Sequence, residues 1–290
     1  MSLQILVNGI ATGSVYALIA IGFALVFNIL KFSNFSYGAT MTVSAFTAYF
    51  LVASKGYGLV PTLLVSAIAG AVVSLFGEFV GFRRILLNNS PTTYFFVSSI
   101  TLATLYEGLV TIKVGASFFR YPDFFSVSTL NFAGTVISKS DIIMFIISAI
   151  ALGILAVIIQ KTRIGRALRA VSFDREAAQL MGINSTLIIQ ITFVLSGIFA
   201  GLAGCFLGIK YTLTPTLGSL VVKGFISSVI GGLGSLVGAV VGAMLLGIAE
   251  AICLKIFGSG WATIVTFAIM LLFLLIRPQG IAGSNVQEKA

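Results

Sequence analysis

The stretch ILVNGIATGSVYALIAIGFALVFNIL, residues 5–30, contains no charged residue. A helix that crosses a bilayer needs about 20 mainly apolar residues, and this run is long enough. It is also longer than the apolar region of a typical secretory signal peptide, and no basic residue precedes it. The sequence therefore predicts a retained membrane helix over residues 5–30.

Further apolar stretches follow along the chain, at residues 38–53, 59–82, 93–112, 142–160, 186–208, 217–256 and 261–276. The composition agrees with them, because 58% of the residues are hydrophobic and only 9% are charged. A soluble domain carries about 25% charged residues. We therefore expect an all-α integral membrane protein, a polytopic helical bundle of about eight spans within a range of about seven to ten.

The side chains that most enzymes need are scarce in this sequence. It contains no histidine, which excludes histidine bases, histidine metal ligands and Ser-His-Asp triads. Its two cysteines, Cys205 and Cys253, lie far apart in apolar runs and cannot form a structural zinc site. We therefore expect no catalytic residue, no metal site and no cofactor in this chain.

The basic residues are better explained by membrane orientation than by nucleic-acid binding. The net charge is +9, but most Lys and Arg residues lie where apolar stretches end, and there they determine which side a loop occupies. Residues 161–185 contain five basic residues, and Arg83 and Arg84 follow the third stretch. Both segments are expected in the cytoplasm. Residues 113–141 are then an external loop, with short strands or a surface helix, and no nucleic-acid partner is expected.

The segment GGLGS, residues 231–235, interrupts the seventh apolar stretch. Glycines at this density break or bend a helix, so either a re-entrant helix pair or two spans are expected there. Irregular backbone at membrane depth is tolerated only where protein or a water-filled cavity surrounds it. Gly231, Gly232 and Gly234 are thus candidates for lining a transport path, and a packing kink is the alternative. Two spans here would move the C-terminus from the outside to the cytoplasm.

The cytoplasmic loop contains a polar but regularly patterned segment, TRIGRALRAVSFDREAAQLMGIN, at residues 162–184. Three of its apolar residues share one helix face: Ile164, Leu168 and Val171. Asp174 is a good N-cap for a second short helix, and Gly182 suits its C-terminal end. Such a capped helix can pack on the protein's own helix ends, lie in the membrane interface or dock into a groove of a soluble partner.

Recognisable motifs occur in five places along the chain. They are Asn8-Gly9 to Gly22 in the first apolar run, Asn34-Phe35-Ser36-Tyr37-Gly38, the segment Gly165-Arg166-Ala167 to Met181-Gly182-Ile183-Asn184, the late segment from Lys223 through residues 231–235 to Glu250, and Pro278, Gly280-Ile281 and Gly283. In this order, over about 270 residues, they resemble the branched-chain amino acid ABC transporter permeases of the LivH type.

The resemblance implies a division of labour between several subunits. Two permeases form the membrane path, two ATPase subunits bind ATP and Mg, and an external binding protein delivers the solute, all at the bacterial inner membrane. The present chain has no Gly-x-x-x-x-Gly-Lys-Ser/Thr loop, so ATP hydrolysis is expected in a partner. Residues 1–290 would form one transmembrane permease domain. The second permease is expected to be a different homologous chain, with a homodimer left open.

The resemblance also assigns the cytoplasmic loop, residues 161–185, to contact with the ATPase. In that family a Glu-Ala-Ala sequence followed by a glycine forms the coupling helix. The expected coupling residues are Gly165, Arg166, Asp174, Glu176, Ala177, Ala178, Met181, Gly182, Ile183 and Asn184.

Polar residues within the apolar stretches are the candidates for the transport path. The polar candidates are Asn34, Ser36, Tyr37, Lys223 and Glu250. The glycines of the break, Gly231, Gly232 and Gly234, are added to them. Lys223 and Glu250 flank the break and can either pair with each other or contact the solute. Asn34, Ser36 and Tyr37 lie between the first two stretches, where they can cap a helix or line the path. Tyr37 stands where the family commonly has histidine.

Three other charged residues lie near predicted helix ends, where long side chains can reach the membrane interface: Glu78, Lys210 and Lys255. A mostly apolar path with few fixed charges suits a neutral or zwitterionic solute. We therefore expect import of branched-chain amino acids or related small neutral amino acids, with urea and short amides as further possibilities in this type of permease. An ion-coupled secondary transporter is the alternative, but it gives no reason for the capped cytoplasmic helix.

Overall fold

The computed structural model describes residues 2–88, 90–115, 117–122, 124, 129–132, 135–277 and 280–282. Its helices are α1 (Ser2–Leu30), α2 (Ser36–Leu51), α3 (Leu59–Gly77), α4 (Arg83–Leu87), α5 (Thr92–Val114), α6 (Lys139–Lys161), α7 (Arg163–Phe173), α8 (Arg175–Leu180), α9 (Ser185–Lys210), α10 (Val221–Gly231) and α11 (Leu236–Ile276). A π-helical segment, Glu78–Phe82, joins α3 to α4. Two strands, β1 (Thr129–Phe132) and β2 (Thr135–Ser138), pair antiparallel.

Six of the described helical segments are long and apolar enough to cross a membrane. They are Gln4–Leu30, Leu59–Leu87, Thr92–Val114, Lys139–Lys161, Ser185–Lys210 and Leu236–Trp261. The predicted helical membrane fold is confirmed, and shorter helices account for the other predicted stretches. The second stretch forms α2, with only 16 residues. The eighth continues α11 beyond Gly258, whose φ of 76° interrupts the helix.

The predicted external loop contains the hairpin of β1 and β2, which confirms the expected short strands. Nearer to α5, Phe119 and Leu213 exchange two backbone hydrogen bonds of 3.1 and 2.8 Å. The Tyr121 hydroxyl donates to the carbonyl of Ala45 in α2 at 2.7 Å. These bonds hold the segment after α5 against α2 and the end of α9. The side of the membrane on which the loop lies stays a prediction.

The chain divides into two compact units. Unit 1 draws on residues 1–24, 125–149 and 222–290, and unit 2 draws on residues 25–124 and 150–221. Each unit contains helices from distant parts of the sequence. The expectation of one permease domain over the whole chain stays a prediction.

In unit 2, small residues bring α3 and α9 into close contact. A Cβ atom at Gly70 would collide with the carbonyl of Gly197. Further along the same pair of helices, the Ser66 hydroxyl donates to the carbonyl of Gly201 at 2.7 Å. Small residues and hydroxyls stabilise helix pairs in membranes because they allow close backbone approach and interhelical hydrogen bonds. Close backbone packing and an interhelical hydrogen bond therefore join α3 and α9 within unit 2.

Aromatic rings fill the cytoplasmic end of unit 2, as the predicted orientation places it. The rings of Phe32 and Phe95 stack with centroids 5.0 Å apart, and those of Phe82 and Phe193 lie 5.5 Å apart. All four side chains are buried or nearly so. The π-helical segment is thus enclosed on the side of Phe82, which fixes the rotation of the residues around it.

In unit 1, α1 packs against α11 and α10. Gly13 and Gly247 approach so closely that a Cβ at Gly247 would lie 2.5 Å from the Cα of Gly13. A Cβ at Gly224 of α10 would collide with the side chain of Ile19. The glycines therefore mark the lines along which these helices touch.

The predicted break at residues 231–235 is present. Gly232 and Gly234 adopt φ values of 106° and 91°, in the left-handed region that glycine tolerates best. Ser235 then caps α11, because its hydroxyl accepts the Gly238 N–H at 3.1 Å. With 11 residues, α10 is too short for a full span. The break therefore joins one short and one long helix rather than two spans of equal length.

A backbone segment from the C-terminal end closes the break. The N–H groups of Ile281 and Ala282 donate to the carbonyls of Ile230 and Gly231 at 2.8 and 2.9 Å. The last carbonyls of a helix lack partners within that helix. The C-terminal segment therefore supplies hydrogen bonds that the end of α10 would otherwise lack.

Candidate functional site

The first helix of the loop between α6 and α9 is folded back against the end of α6. The Thr162 hydroxyl accepts the Gly165 N–H at 3.1 Å and so caps α7. A Cβ at Gly165 would collide with the carbonyl of Ile159, to which the Arg169 guanidinium also donates. Gly165 is therefore needed for close packing rather than for contact with a partner.

The apolar face predicted for α7 is only partly right. Leu168 and Val171 are buried, whereas Ile164 is 42% exposed. The helix turns Ile164 outward because Gly165, beside it, occupies the contact with α6. The periodicity therefore predicts the helix, whereas the contact of Gly165 with α6 decides which side of the helix is buried.

The second helix of the loop has the predicted caps. Asp174 Oδ1 accepts the Ala177 N–H at 2.9 Å at the start of α8. At its end Gly182 has a φ of 83°, and the N–H groups of Gly182 and Ile183 donate to the carbonyls of Gln179 and Ala178 at 2.9 and 3.0 Å. This arrangement is a Schellman motif. The loop backbone is therefore fixed by its own hydrogen bonds.

Asn184 continues this pattern into the next membrane helix. Its side-chain oxygen accepts the Leu187 N–H at 3.1 Å and caps α9. Only one residue, Ile183, lies between Gly182 and Asn184, so the end of α8 is joined almost directly to the start of α9.

The ten expected coupling residues divide into a buried and an exposed group. Ala178 is 5% exposed and packs with Leu168, Val171 and Ile188, and Gly165 is buried against α6. By contrast, the following expected residues are exposed: Arg166, Asp174, Glu176, Ala177, Met181, Gly182 and Asn184. Ile183 is half-buried against the same cluster as Ala178.

Two apolar side chains on this loop were not predicted as site residues. Phe173 is 94% exposed and Leu180 is 89% exposed, and Met181 beside it is 83% exposed. Large apolar side chains that are exposed on an ordered loop are typical of a surface that contacts another protein or the membrane. A signal existed in the sequence for Phe173, since it lies off the face of α7 that carries Leu168 and Val171. We call Phe173, Leu180 and Met181 the apolar patch.

Lys223 and Glu250 form the ion pair that the sequence allowed. The Lys223 ammonium donates to Glu250 Oε1 at 2.5 Å and to the Tyr16 hydroxyl at 3.0 Å. The Tyr16 hydroxyl donates to Glu250 Oε2 at 2.9 Å. The three groups therefore close a triangle between α10, α11 and α1. Tyr16 was missed because it lies over 200 residues from both partners.

Asn34 and Ser36 form a local turn at the start of α2. Asn34 Oδ1 accepts the Ser36 N–H at 3.1 Å and its hydroxyl at 2.7 Å. Tyr37 is 2% exposed, and a Cβ at neighbouring Gly38 would collide with the carbonyl of Gly218. The geometry supports the helix-start alternative for the first two residues. A role of these residues in the path stays a prediction.

The side chain of Glu78 does not extend to the membrane interface, as its place near a predicted helix end had suggested. Its side chain is fully buried, at 0% exposure, on the first residue of the π-helical segment. Among the described residues, neither carboxylate oxygen has a hydrogen-bond partner. The Gln190 amide approaches from α9, and Arg83 attracts the carboxylate from beyond ion-pair distance. The prediction that Glu78 reaches the interface is therefore wrong, because the π-helical turn directs it inward.

Within the described part of the chain, no group of three or more Cys, Asp or Glu side chains could hold a metal ion. The candidate functional groups are therefore an exposed loop between α6 and α9, a closed ion-pair triangle and one buried carboxylate. Residues 5–274 match the family described as "Branched-chain amino acid transport system / permease component".

The chain belongs to this permease family. It is 35% identical to the high-affinity branched-chain amino acid transport system permease protein BraD of Pseudomonas aeruginosa, over 99% of this chain and 97% of BraD. It is 33% identical to LivH of Escherichia coli K12, with the same coverage of both chains. LivM of Salmonella typhimurium is 27% identical over 92% of this chain and 67% of LivM. The resemblance found in the motifs is confirmed.

Solved structures support the fold of the permease. A metal-chelate type ABC transporter in an inward-facing conformation matches with a TM-score of 0.55 and 18% identity, over 94% of this chain and 84% of that chain. PsaBC from Streptococcus pneumoniae matches with a TM-score of 0.51 and 14% identity, over 96% and 92%. At these identities the likeness extends to the fold alone. The permease is thus a multi-pass membrane protein with a transporter fold.

Proposed function

We propose that this permease forms the membrane path of an ATP-driven importer for branched-chain or related small neutral amino acids. The single observation that supports this role best is the ordered cytoplasmic loop, which is capped at both ends and exposes large apolar side chains. The names of its full-length relatives supply the solute class. ATPase subunits that bind ATP and Mg, a second homologous permease and an external binding protein are the proposed partners.

The loop has the two faces that a coupling element needs. Its rear face, with Leu168, Val171 and Ala178, packs on the start of α9. Its front face, the apolar patch, is free to enter a groove on an ATPase subunit. Arg166, Glu176 and Ala177 would surround that contact. The remaining expected coupling residues would act indirectly, by setting the shape of the loop.

Coupling then has a simple physical form. ATP-driven closure of the ATPase subunits moves the loop, and the short connection from Gly182 to Asn184 passes the motion to α9. A ligand or partner shifts a conformational equilibrium only as far as it binds one state better than the other. We propose that the ATP-bound partner favours one arrangement of α9 and that the nucleotide-free partner favours the other.

The expected path residues receive distinct proposed roles. The Lys223–Glu250 pair would hold the α10–α11 hairpin in shape, and Gly231, Gly232 and Gly234 would let its irregular backbone border the path. Asn34 and Ser36 would fix the start of α2 through their local hydrogen bonds, and the buried Tyr37 would do so through packing. Because these polar groups are satisfied internally, they would form the frame of the path rather than its solute contacts.

Purification of the tagged permease from its native cell, followed by reconstitution, tests this function. We expect an ATPase and a second permease to co-purify, and we expect ATP to drive uptake of radiolabelled leucine into vesicles supplied with the binding protein. A vanadate-inhibited sample is the control. A chain that purifies alone and transports leucine on an ion gradient without ATP would contradict the proposal.

A further inference from the structure

Glu78 is a charged residue of a membrane span that the proposed frame does not use. It lies in the span Leu59–Leu87 and is fully buried. Within the described residues neither oxygen has a partner that meets hydrogen-bond geometry, and its charge is stabilised by the Gln190 amide and by Arg83 without an ion pair. A carboxylate in a membrane span is costly, and such residues almost always face the interior of a bundle or a water-filled cavity. The Lys223–Glu250 pair meets this cost with three hydrogen bonds. Glu78 has no comparable arrangement.

Glu78 is among the residues that line a groove of about 550 Å³ between α3 and α9, and its two carboxylate oxygens are buried behind the groove surface. Its polar lining consists of Glu78 and Gln190, and the rest is aliphatic or aromatic. The apolar walls are Val72, Leu75, Phe76, Phe79, Leu187, Ile191, Val194 and Leu195. The groove therefore combines one negative group and one amide with a large apolar surface.

The floor of the groove is rigid. Ser74 of α3 donates its hydroxyl to the Phe193 carbonyl of α9 at 2.7 Å, one turn from Glu78 along α3. On the other side of Glu78, Phe82 packs on Phe193. A π-helical turn interrupts the regular helix at this point, and such turns occur frequently at functional sites. The carboxylate is therefore held in position by packing rather than by polar bonds.

Covering the groove with lipid would leave the carboxylate unsatisfied. Acyl chains offer no hydrogen bond and no positive charge. A solute with an ammonium group offers both, and an aliphatic side chain on that solute would fill the apolar walls. Sites for small molecules commonly combine mostly apolar walls with a few polar groups that fix orientation. An amino acid with an aliphatic side chain has this combination of groups.

We propose that the α3–α9 groove is a binding site for the transported amino acid, with Glu78 receiving its ammonium group and the apolar walls receiving its aliphatic side chain. Gln190 would donate its amide N–H to the solute carboxylate. This inference rests on the proposed function for the class of solute. It adds a location and two named contacts, which the relatives' names do not provide.

The first test replaces Glu78 by glutamine in the whole importer. Glu78→Gln keeps the shape of the side chain and removes its charge, so the fold should be at least as stable. We expect leucine uptake at a saturating concentration of binding protein to fall by about tenfold, as loss of a charged hydrogen bond predicts. ATP hydrolysis and co-purification of the partners should change by less than about twofold, since the loop is untouched. Glu107→Gln, a second glutamate on a membrane span that does not line the groove, is the matched control.

The second test measures water and charge in the groove directly. Val72 is 61% exposed on the groove wall, and Val157 is 58% exposed on α6, the span with the highest mean hydropathy, 3.2, among those described. In a Cys205→Ala, Cys253→Ala background, we expect a cationic methanethiosulfonate to label Val72→Cys and not Val157→Cys. An anionic methanethiosulfonate should label Val72→Cys more slowly, and Glu78→Gln should abolish that difference.

The outcomes separate this site from the proposed function. Wild-type uptake driven by ATP, together with normal uptake by Glu78→Gln and no labelling at Val72→Cys, would keep the importer and overturn the site. Protection of Val72→Cys by lipid or by a helix of the second permease would give that same unlabelled result. Labelling with charge preference in a chain that shows no ATP-driven uptake would instead overturn the importer and keep a cation-accepting groove.

Discussion

The loop between α6 and α9 and the α10–α11 hairpin both contain a break between two helices, yet they stabilise it in opposite ways. In the loop, each cap joins residues three positions apart, such as Asp174 and Ala177. In the hairpin, the decisive bonds join distant residues, and Tyr16 and Glu250 are 234 positions apart. Water can satisfy exposed loop groups, whereas groups inside a membrane bundle need protein partners. Loop substitutions should therefore alter partner contact, and hairpin substitutions should alter the fold.

The largest effect is expected from removing one member of the ion pair. Lys223→Met leaves Glu250 buried without its cation, and breaking a buried pair in this way costs about 3–5 kcal/mol. The free energy of unfolding, measured in detergent micelles, should fall by that amount. Lys223→Met combined with Glu250→Leu should recover most of the loss, because no unpaired charge remains. A single variant as stable as the wild type would show that the triangle is not a structural element.

A smaller loss is expected where α3 meets α9. Gly70→Val introduces side-chain atoms into the backbone of Gly197, and overpacking of this kind costs about 1–3 kcal/mol. Gly153→Val on α6 is the matched control, since a Cβ there meets nothing within 4 Å. The two unfolding free energies in micelles should differ by at least about 1 kcal/mol. Equal stability of the two variants would contradict the close α3–α9 packing.

The loop could be predicted because its structure is encoded locally. Asp174, Gly182 and Asn184 act through hydrogen bonds to residues at most a few positions away, and their residue types already favour these roles. The break at residues 231–235 was predictable for the same reason. The fold class followed from the length and polarity of the apolar stretches. None of these predictions required knowledge of how helices are rotated.

The remaining features depend on helix rotation and on partners far along the chain. The apolar stretch around Glu78 gave no sign that a π-helical turn would direct this residue inward. Tyr16 looked like one more apolar residue of α1 until α10 and α11 were placed beside it. The spacing places Ile164 on one apolar face with Leu168 and Val171, but Ile164 is exposed and Gly165 makes the contact with α6. In each case the identity of the residue was informative and its direction was not.

Two neighbouring alanines test the division of the loop into a front and a rear face. Ala178→Asp buries a charge in the cluster with Leu168 and Val171, and should lower stability by about 2 kcal/mol. Ala177→Asp lies on the exposed side, so its stability should stay within about 0.5 kcal/mol of wild type. We expect Ala177→Asp instead to weaken co-purification of the ATPase and to lower uptake per ATP hydrolysed. Equal destabilisation by both substitutions would contradict the assignment of faces.

The smallest effect separates the two breaks by their surroundings. Asp174 caps α8 and Ser235 caps α11, and each accepts the backbone N–H three residues later. Loss of a cap costs about 0.5–2 kcal/mol, and water can replace the lost bond only where it has access. Ala177 is exposed and Gly238 is buried, so we expect Asp174→Ala to lie near the lower limit and Ser235→Ala near the upper limit. Hydrogen exchange of the two amides measures this difference directly. If the Ala177 amide loses as much protection as the Gly238 amide, both caps are equally shielded and the contrast between the loop and the hairpin does not extend to their caps.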